Sequence, residues 1–198
     1  MKALLLIDIQ HDFLPGGSLA VPGGHEILPL VNQLQPNYEL VAATQDWHPA
    51  NHQSFASQHP GHAVFSQISL HGLPQTLWPD HCVQGTPGAE FSAQLHQHRI
   101  EAIFRKGTSP EIDSYSGFYD NGHRKSTGLA DYLRGRGVHE VHLCGLAADY
   151  CVFYSALDAL QEGFAVVFLE EATRAISAEG YARARQQLEQ RGARFSTT

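Results

Sequence analysis

Cysteine is scarce in this chain, with three in 198 residues. The number is odd and the spacing is not that of a framework, which argues against a disulfide scaffold and for a reducing compartment. Charge is scarce as well: 13 Lys and Arg stand against 20 Asp and Glu, a net charge of −7. The densest basic groups, Arg124-Lys125 and Arg134 with Arg136, are too small to grip a phosphate backbone, whose affinity rests on clustered cations. No nucleic-acid partner is therefore expected. Long apolar runs are missing too. The first, Ala3 to Ile7, is cut by Asp8 and is too short for a signal peptide or a membrane span. No membrane partner is expected, and the location expected is cytoplasmic. There is no internal repeat, low-complexity tract or linker. A chain of 198 residues with 42% hydrophobic content suits one domain, residues 1–198, with a full-sized core.

What is present is alternation. Short runs rich in Leu, Ile and Val at Ala3–Asp8, Tyr38–Thr44, Ala102–Lys106, Val138–Cys144, Ala165–Glu170 and Ala193–Ser196 read as strands. Helical stripes fall between them: Ile27, Leu30, Val31 and Leu34, then Leu129, Tyr132 and Leu133, then Val152, Ala156, Ala159 and Leu160. A last helix runs from Ser177 to Arg191 and stops at Gly192. That pattern belongs to an α/β fold with a mostly parallel six-stranded sheet covered on both faces. The exception is a loop-rich insertion at about 46–99, which carries Pro, Gly and His with little periodicity. Insertions of that size in a compact domain are usually functional.

Chemistry collects where the strands end. Asp8 closes the first, Asp46 and His48 follow the second, Lys106 closes the third, and Cys151 follows the fourth. Ligands of open parallel sheets bind beyond the carboxyl ends of the strands. In the run Cys144-Gly145-Leu146-Ala147-Ala148-Asp149-Tyr150-Cys151 the last residue enters a helix, where unpaired N–H groups favour an anion. Cys151 reads as a nucleophile, Asp8 as its base, and Lys106 as the cation that holds the carboxylate ionised. N–H groups around Ala147 and Cys151 stand where an oxyanion would form. Of 13 histidines, two join a second constellation. Asp46 and His48, two apart in extended chain, project to one side, and His81 would close a loop around a shared ion. One carboxylate and two imidazoles leave coordination positions open. They admit zinc, iron or manganese, with His52 as an outer ligand ranked below the other three.

These blocks together resemble the nicotinamidases, the metal-dependent branch of the isochorismatase-like cysteine hydrolases. The matching segments are Ile7-Asp8-Ile9-Gln10-His11-Asp12-Phe13 with Pro15-Gly16-Gly17-Ser18-Leu19, Thr44-Gln45-Asp46-Trp47-His48-Pro49 and Leu77-Trp78-Pro79-Asp80-His81-Cys82. They continue through Arg105-Lys106-Gly107, Asp113-Ser114-Tyr115-Ser116-Gly117-Phe118 and Gly145 to Cys151, in the family's order over nearly the whole chain. The resemblance implies a three-layer, Rossmann-like α/β/α fold with strand order 3-2-1-4-5-6. It implies hydrolysis of nicotinamide to nicotinate and ammonia in NAD salvage, with pyrazinamide as an alternative substrate. It makes Asp8, Lys106 and Cys151 the catalytic triad. Asp46, His48 and His81 become ligands of one divalent metal, zinc foremost, that meets the substrate's ring nitrogen. It lines the pocket with Phe13, Leu19, Trp78, Tyr115 and Ala147, assigns the oxyanion hole to Ala147 and Cys151, and places a cis peptide just before Ala147. Two small departures lie outside these positions: Glu170-Glu171-Ala172, where an aspartate is expected before the alanine, and Tyr154-Ser155, where smaller residues are common.

Two rivals accompany that expectation. A metal-free amidase or carbamoyl hydrolase of the same superfamily would keep the triad but has no use for Asp46, His48 and His81 together. A non-catalytic protein that binds metal or pyridines needs no activated thiol. The partner expected is a small molecule, bound by a monomer or homo-oligomer.

Overall fold

The computed structural model describes residues 1–197; Thr198, the last residue of the expected domain, lies outside them. Six strands form one sheet: β1 (Lys2–Ile7), β2 (Leu40–Asp46), β5 (Ile100–Lys106), β6 (Glu140–Leu146), β7 (Ala165–Arg174) and β8 (Arg194–Ser196). Between β2 and β5, β3 (Gln67–Leu70) and β4 (Leu73–Thr76) make a separate antiparallel hairpin. The helices are α1 (Leu28–Leu34), α2 (Leu129–Gly135), α3 (Cys151–Gln161) and α4 (Ala178–Gln190).

The sheet order is β5-β2-β1-β6-β7-β8 and every pairing in it is parallel. Counted within the sheet alone this is the expected 3-2-1-4-5-6. β1 shows why the sheet sits between two layers: Ala3, Leu5 and Ile7 join one buried cluster, with Leu129, Leu133, Val152 and Ala156 of α2 and α3. Leu4 and Leu6 join the other, with Leu28 and Val31 of α1. Period-two side chains that are apolar at every position can be satisfied only by cover on both faces. α4 is held more lightly, through Ala184 and Leu188, and its first turn is capped by Ser177, whose Oγ accepts from Gly180 N at 3.0 Å. That cap is the expected start of the helix.

Three departures from expectation have plain physical reasons. β2 runs on to Asp46 because Gln45 and Asp46 stay paired with Arg105 and Lys106, so polarity did not end it. β7 continues past Glu170 to Arg174, since pairing with β6 resumes after an irregularity, with Thr173 opposite Gly145 and Arg174 opposite Leu146. Within the insertion, His71 and Gly72 both take positive φ (49° and 84°) and close the β3–β4 hairpin as a two-residue turn, with Leu70 opposite Leu73. Paired left-handed residues are what such turns demand.

The topology sets the site. The strand order progresses in opposite directions on either side of β1, whose neighbours are β2 and β6, and a crevice opens beyond the carboxyl ends at such a switch point. Asp46 and Lys106 are register partners and leave the sheet together. Gly145 lets β6 reach the crevice: a Cβ there would lie 2.0 Å from Ile7 O.

Candidate active site

Lys106 is the hub. Its ammonium is 2.9 Å from Asp8 Oδ2 and donates to Asp46 Oδ1 at 2.6 Å, to Ser114 O at 2.8 Å and to Cys151 Sγ at 3.5 Å. Asp8, Lys106 and Cys151 are all buried. The second oxygen of Asp8 accepts from Thr44 Oγ1 at 2.6 Å. Burial would discharge Lys106, yet the Asp46 and Asp8 carboxylates outweigh it and hold its pKa well above the ordinary value. For Asp8 burial wins over the Lys106 charge and the pKa is raised, with Asp46 adding to the rise. Asp46 goes the other way: Lys106 and His48 overcome burial and keep it well below the carboxylate range. Burial also lifts the Cys151 thiol well above its usual value against the pull of Lys106. Burial therefore works against the anion that the helix start favours. Burial thus tightens the hold of Cys151 on its proton beside a carboxylate whose own proton affinity is raised, an arrangement suited to proton transfer.

On the other side of Asp46 the two imidazoles converge. His48 Nε2 and His81 Nε2 lie 3.4 and 3.7 Å from Asp46 Oδ2, and all three residues are buried. His48 Nδ1 is 2.9 Å from Gly107 O, and His81 Nδ1 is 2.8 Å from Pro79 O. A carbonyl can only accept, so each Nδ1 carries the proton and each Nε2 presents a lone pair inward. Second-sphere bonds orient metal-binding histidines in this way. His48 Nε2 has no hydrogen-bond partner. A buried carboxylate with two inward nitrogen lone pairs is a set that could hold a metal ion. His52 is buried with its ring 4.4 Å from that of His48. Its Nδ1 accepts from Ser54 N at 3.2 Å, so its proton sits on Nε2. Burial brings its pKa down to about 4. That tautomer presents a donor where a ligand would need a lone pair.

Members of both constellations line one cavity of about 360 Å³, whose wall includes Phe13, Leu19, Asp46, Trp78, His81, Tyr115, Ala147 and Cys151. The structure thus brings together every residue that the sequence singled out for triad, ligands and pocket. Leu146-Ala147 is a cis peptide. The same wall includes three residues for which the sequence suggests no role: Asp113, Tyr150 and Ile176. Tyr150 packs edge-on against Trp78, with ring centroids 4.9 Å apart. Ile176 is held by Asp149, whose oxygens accept from Ile176 N at 2.9 Å and Ser177 N at 3.0 Å. Gln10 escaped notice too, although its amide brackets the backbone of Asp46, accepting from its N–H and donating to its carbonyl, each at 2.8 Å. Asp113, Tyr115 and Tyr150 stand in the matched segments, but no spacing rule marks Tyr150 or Ile176 as cavity residues.

Comparison with known proteins places this geometry. The isochorismatase domain family matches residues 2–198. A nicotinamidase of Escherichia coli is 50% identical over 180 residues, 89% of this chain and 84% of its own length. PnC1 from L. infantum, solved in complex with nicotinate, superposes with a TM-score of 0.89 at 39% identity, covering 99% of this chain and 92% of the other. The pyrazinamidase of Pyrococcus horikoshii, solved in complex with zinc, gives a TM-score of 0.83 at 39% identity over 100% and 99%. By matched length, shared fold and the residues gathered at its strand ends, the chain belongs to the isochorismatase family, in its nicotinamidase group.

Proposed function

We propose that this chain hydrolyses nicotinamide to nicotinate and ammonia, and pyrazinamide likewise, through a thioester on Cys151. The observation that carries the reading is that Cys151 lines the same cavity as Asp46 and His81, two of the three residues of the Asp46–His48–His81 group. Asp8 takes the proton from Cys151 Sγ, and the sulfur attacks the carboxamide carbon. The oxyanion is held by the N–H groups of Ala147 and Cys151. As the C–N bond breaks, Asp8 returns the proton to the departing ammonia. Water then adds to the thioester, again giving a proton to Asp8, and nicotinate leaves as the thiol is re-formed. Lys106 stays charged throughout and offsets the negative charge that passes between sulfur and carboxylate.

Asp46 Oδ2, His48 Nε2 and His81 Nε2 would hold one divalent ion, zinc foremost, with iron or manganese as alternatives. The zinc complex of the Pyrococcus relative supports that choice. When bound, such an ion supplies a Lewis-acid anchor for the ring nitrogen of a pyridine. Phe13, Leu19, Trp78 and Tyr115 enclose the ring and orient the carboxamide toward sulfur, which is where positioning contributes to rate. No helix among the described residues is long and apolar enough to cross a membrane, and a small pyridine is the expected partner. The test is ammonia release from nicotinamide. Cys151→Ala is expected to bind nicotinate and release no ammonia above background. His48→Ala is expected to lose bound metal and to raise KM. Turnover by Cys151→Ala, or full metal content in His48→Ala, would refute the corresponding assignment.

A further inference from the structure

The two imidazoles that face Asp46 come from separate segments, His48 just past β2 and His81 past β4. Cys82 links them. It is buried, and its carbonyl accepts from His48 N at 3.0 Å. Its own N–H, which shares a peptide plane with the carbonyl of His81, donates to Asp12 Oδ2 at 2.7 Å. A hydrogen bond to a carboxylate is of the strong, charge-assisted kind. Cys82 also stands at φ 46°, in the left-handed region that residues other than glycine seldom adopt. Such a conformation persists where the surroundings impose it, and here the surroundings are His48 on one side and Asp12 on the other.

Asp12 belongs to the single-turn helix His11–Phe13. Its Oδ1 accepts from Ser18 N at 3.3 Å, and its backbone carbonyl accepts from Leu19 N at 3.0 Å. These two bonds close the loop that brings Phe13 and Leu19 to the cavity wall. The third, to Cys82, reaches a segment distant in sequence and is not needed to close that loop. The Phe13 ring lies 5.6 Å from that of His81, so the enclosing wall and the ligand loop meet at this joint. Gly88 reserves room for the carboxylate: a Cβ there would lie 2.1 Å from Asp12 Oδ2.

We propose that Asp12 is a positioning residue for the metal group. By fixing the His81–Cys82 peptide it holds both imidazoles at the spacing that Asp46 requires, and it ties that spacing to the wall around the ring. The proposal rests on the hydrolase reading above and deepens it. Without the carboxylate the buried Cys82 N–H has no acceptor, a costly state that the chain relieves by turning that peptide. His81 turns with it.

The experiment sets wild-type holoenzyme beside Asp12→Ala, Asp12→Asn, Gly88→Ala and the double Asp12→Ala/Gly88→Ala variant, in competition with a chromogenic zinc chelator. Urea unfolding and nicotinamide kinetics are read alongside. Zinc affinity of Asp12→Ala is expected to fall by about ten- to hundredfold, as for other residues that hold a metal ligand in place, with kcat retained when zinc is in excess. Asp12→Asn keeps an oxygen acceptor and should recover most of the loss. Gly88→Ala should weaken zinc binding while Asp12 is present and add nothing once it is gone, because the three atoms nearest that Cβ all belong to the Asp12 side chain. Gly88→Ala and Asp12→Asn report even where Asp12→Ala folds poorly. A merely structural staple would lower the urea midpoint and leave the zinc affinity of the folded protein where it was, and that result would overturn the proposal. So would an asparagine variant no better than alanine, or single effects that multiply in the double variant. In each of these cases ammonia release by the wild type leaves the hydrolase reading standing. A wild type that neither binds zinc nor hydrolyses nicotinamide would overturn both.

Discussion

Replacing Lys106 with methionine removes one cation from between two buried carboxylates, and the structure says what that should cost. The ammonium is 2.6 Å from Asp46 Oδ1 and 2.9 Å from Asp8 Oδ2, and both lysine and Asp8 side chains are wholly buried. At an effective dielectric of about 20, each of these contacts is worth about 6 kcal/mol of gross attraction. Desolvation of the three charges offsets most of it, and the net loss on breaking a buried pair is about 3–5 kcal/mol, because an uncompensated charge stays behind. The metal-free Lys106→Met protein should therefore lose about 3–5 kcal/mol in urea unfolding at pH 8. The loss should shrink at pH 5, and the sign follows from linkage. Asp8 already has a folded pKa above its reference value of 3.8, and without the lysine Asp46 loses the first of the charges that hold it low. A carboxyl whose folded pKa is raised binds more protons folded than unfolded, so stability falls as pH rises from 3.8 through the folded pKa. The variant can relieve its penalty by protonation at pH 5 and cannot at pH 8. A loss below about 1 kcal/mol at both values, or a loss independent of pH, would refute the picture of Lys106 as the charge that keeps this cluster buried.

Two further outcomes follow from individual contacts. A Cβ at Gly107 would fall 2.3 Å from His48 Cε1 on a backbone at φ 62°, so Gly107→Ala should displace His48 and lower metal content on chelator titration. Full metal occupancy in a folded Gly107→Ala protein would show that the imidazole does not depend on that close approach. At the opposite end of the strands, where β6 begins, the hydrogen bond from His142, together with those from Lys2 and Arg194, overcomes the opposing effect of burial and brings Glu140 down to about 2. A depressed carboxyl lends stability that is present above its reference pKa of 4.5 and lost as pH falls through about 2. Glu140→Gln should flatten the acid-unfolding curve over that range, and superimposable curves with equal neutral stability would contradict it.

Much of this was readable before any coordinates, and the reason is physical. A strand that must be covered on both faces writes itself as unbroken Leu, Ile and Val, so β1 and β6 announce themselves. A residue at or just past the end of such a strand lies toward the crevice, which is why Asp8, Lys106 and Cys151 stand out in the sequence. What escaped depends on tertiary contact. The β3–β4 hairpin hides because His71-Gly72 is a weaker turn signal than Asn-Gly and because its strands are short and half polar. Gln10 and Thr44 stand in matched segments, yet no spacing rule marks them, and their importance comes from the atoms they meet. The protonation of Cys151 was legible least of all. A helix start argues for a thiolate, but the sequence does not reveal that Asp8 and Asp46 stand behind the sulfur and that burial outweighs the lysine.

Asp46 shows why the two halves of the site should not be treated as separate machines. The sequence gives it one role, as a ligand beside His48. In the structure Oδ1 takes the Lys106 proton donor and Oδ2 faces His48 and His81, while the Gln10 amide clamps its backbone from both directions. One carboxylate thus balances the lysine that faces the nucleophile and supplies the anionic charge to the imidazole pair. The two demands compete: whatever charge Asp46 surrenders on one side is felt by Lys106, and through it by Asp8 and Cys151, on the other. A loss of activity on removing Asp46 would therefore report on both centres at once. His81 meets Asp46 only through Oδ2 and makes no contact with Lys106 among the bonds of that hub. Its removal is the cleaner probe of the metal side, and the difference between the two variants measures how tightly the nucleophile depends on the shared carboxylate.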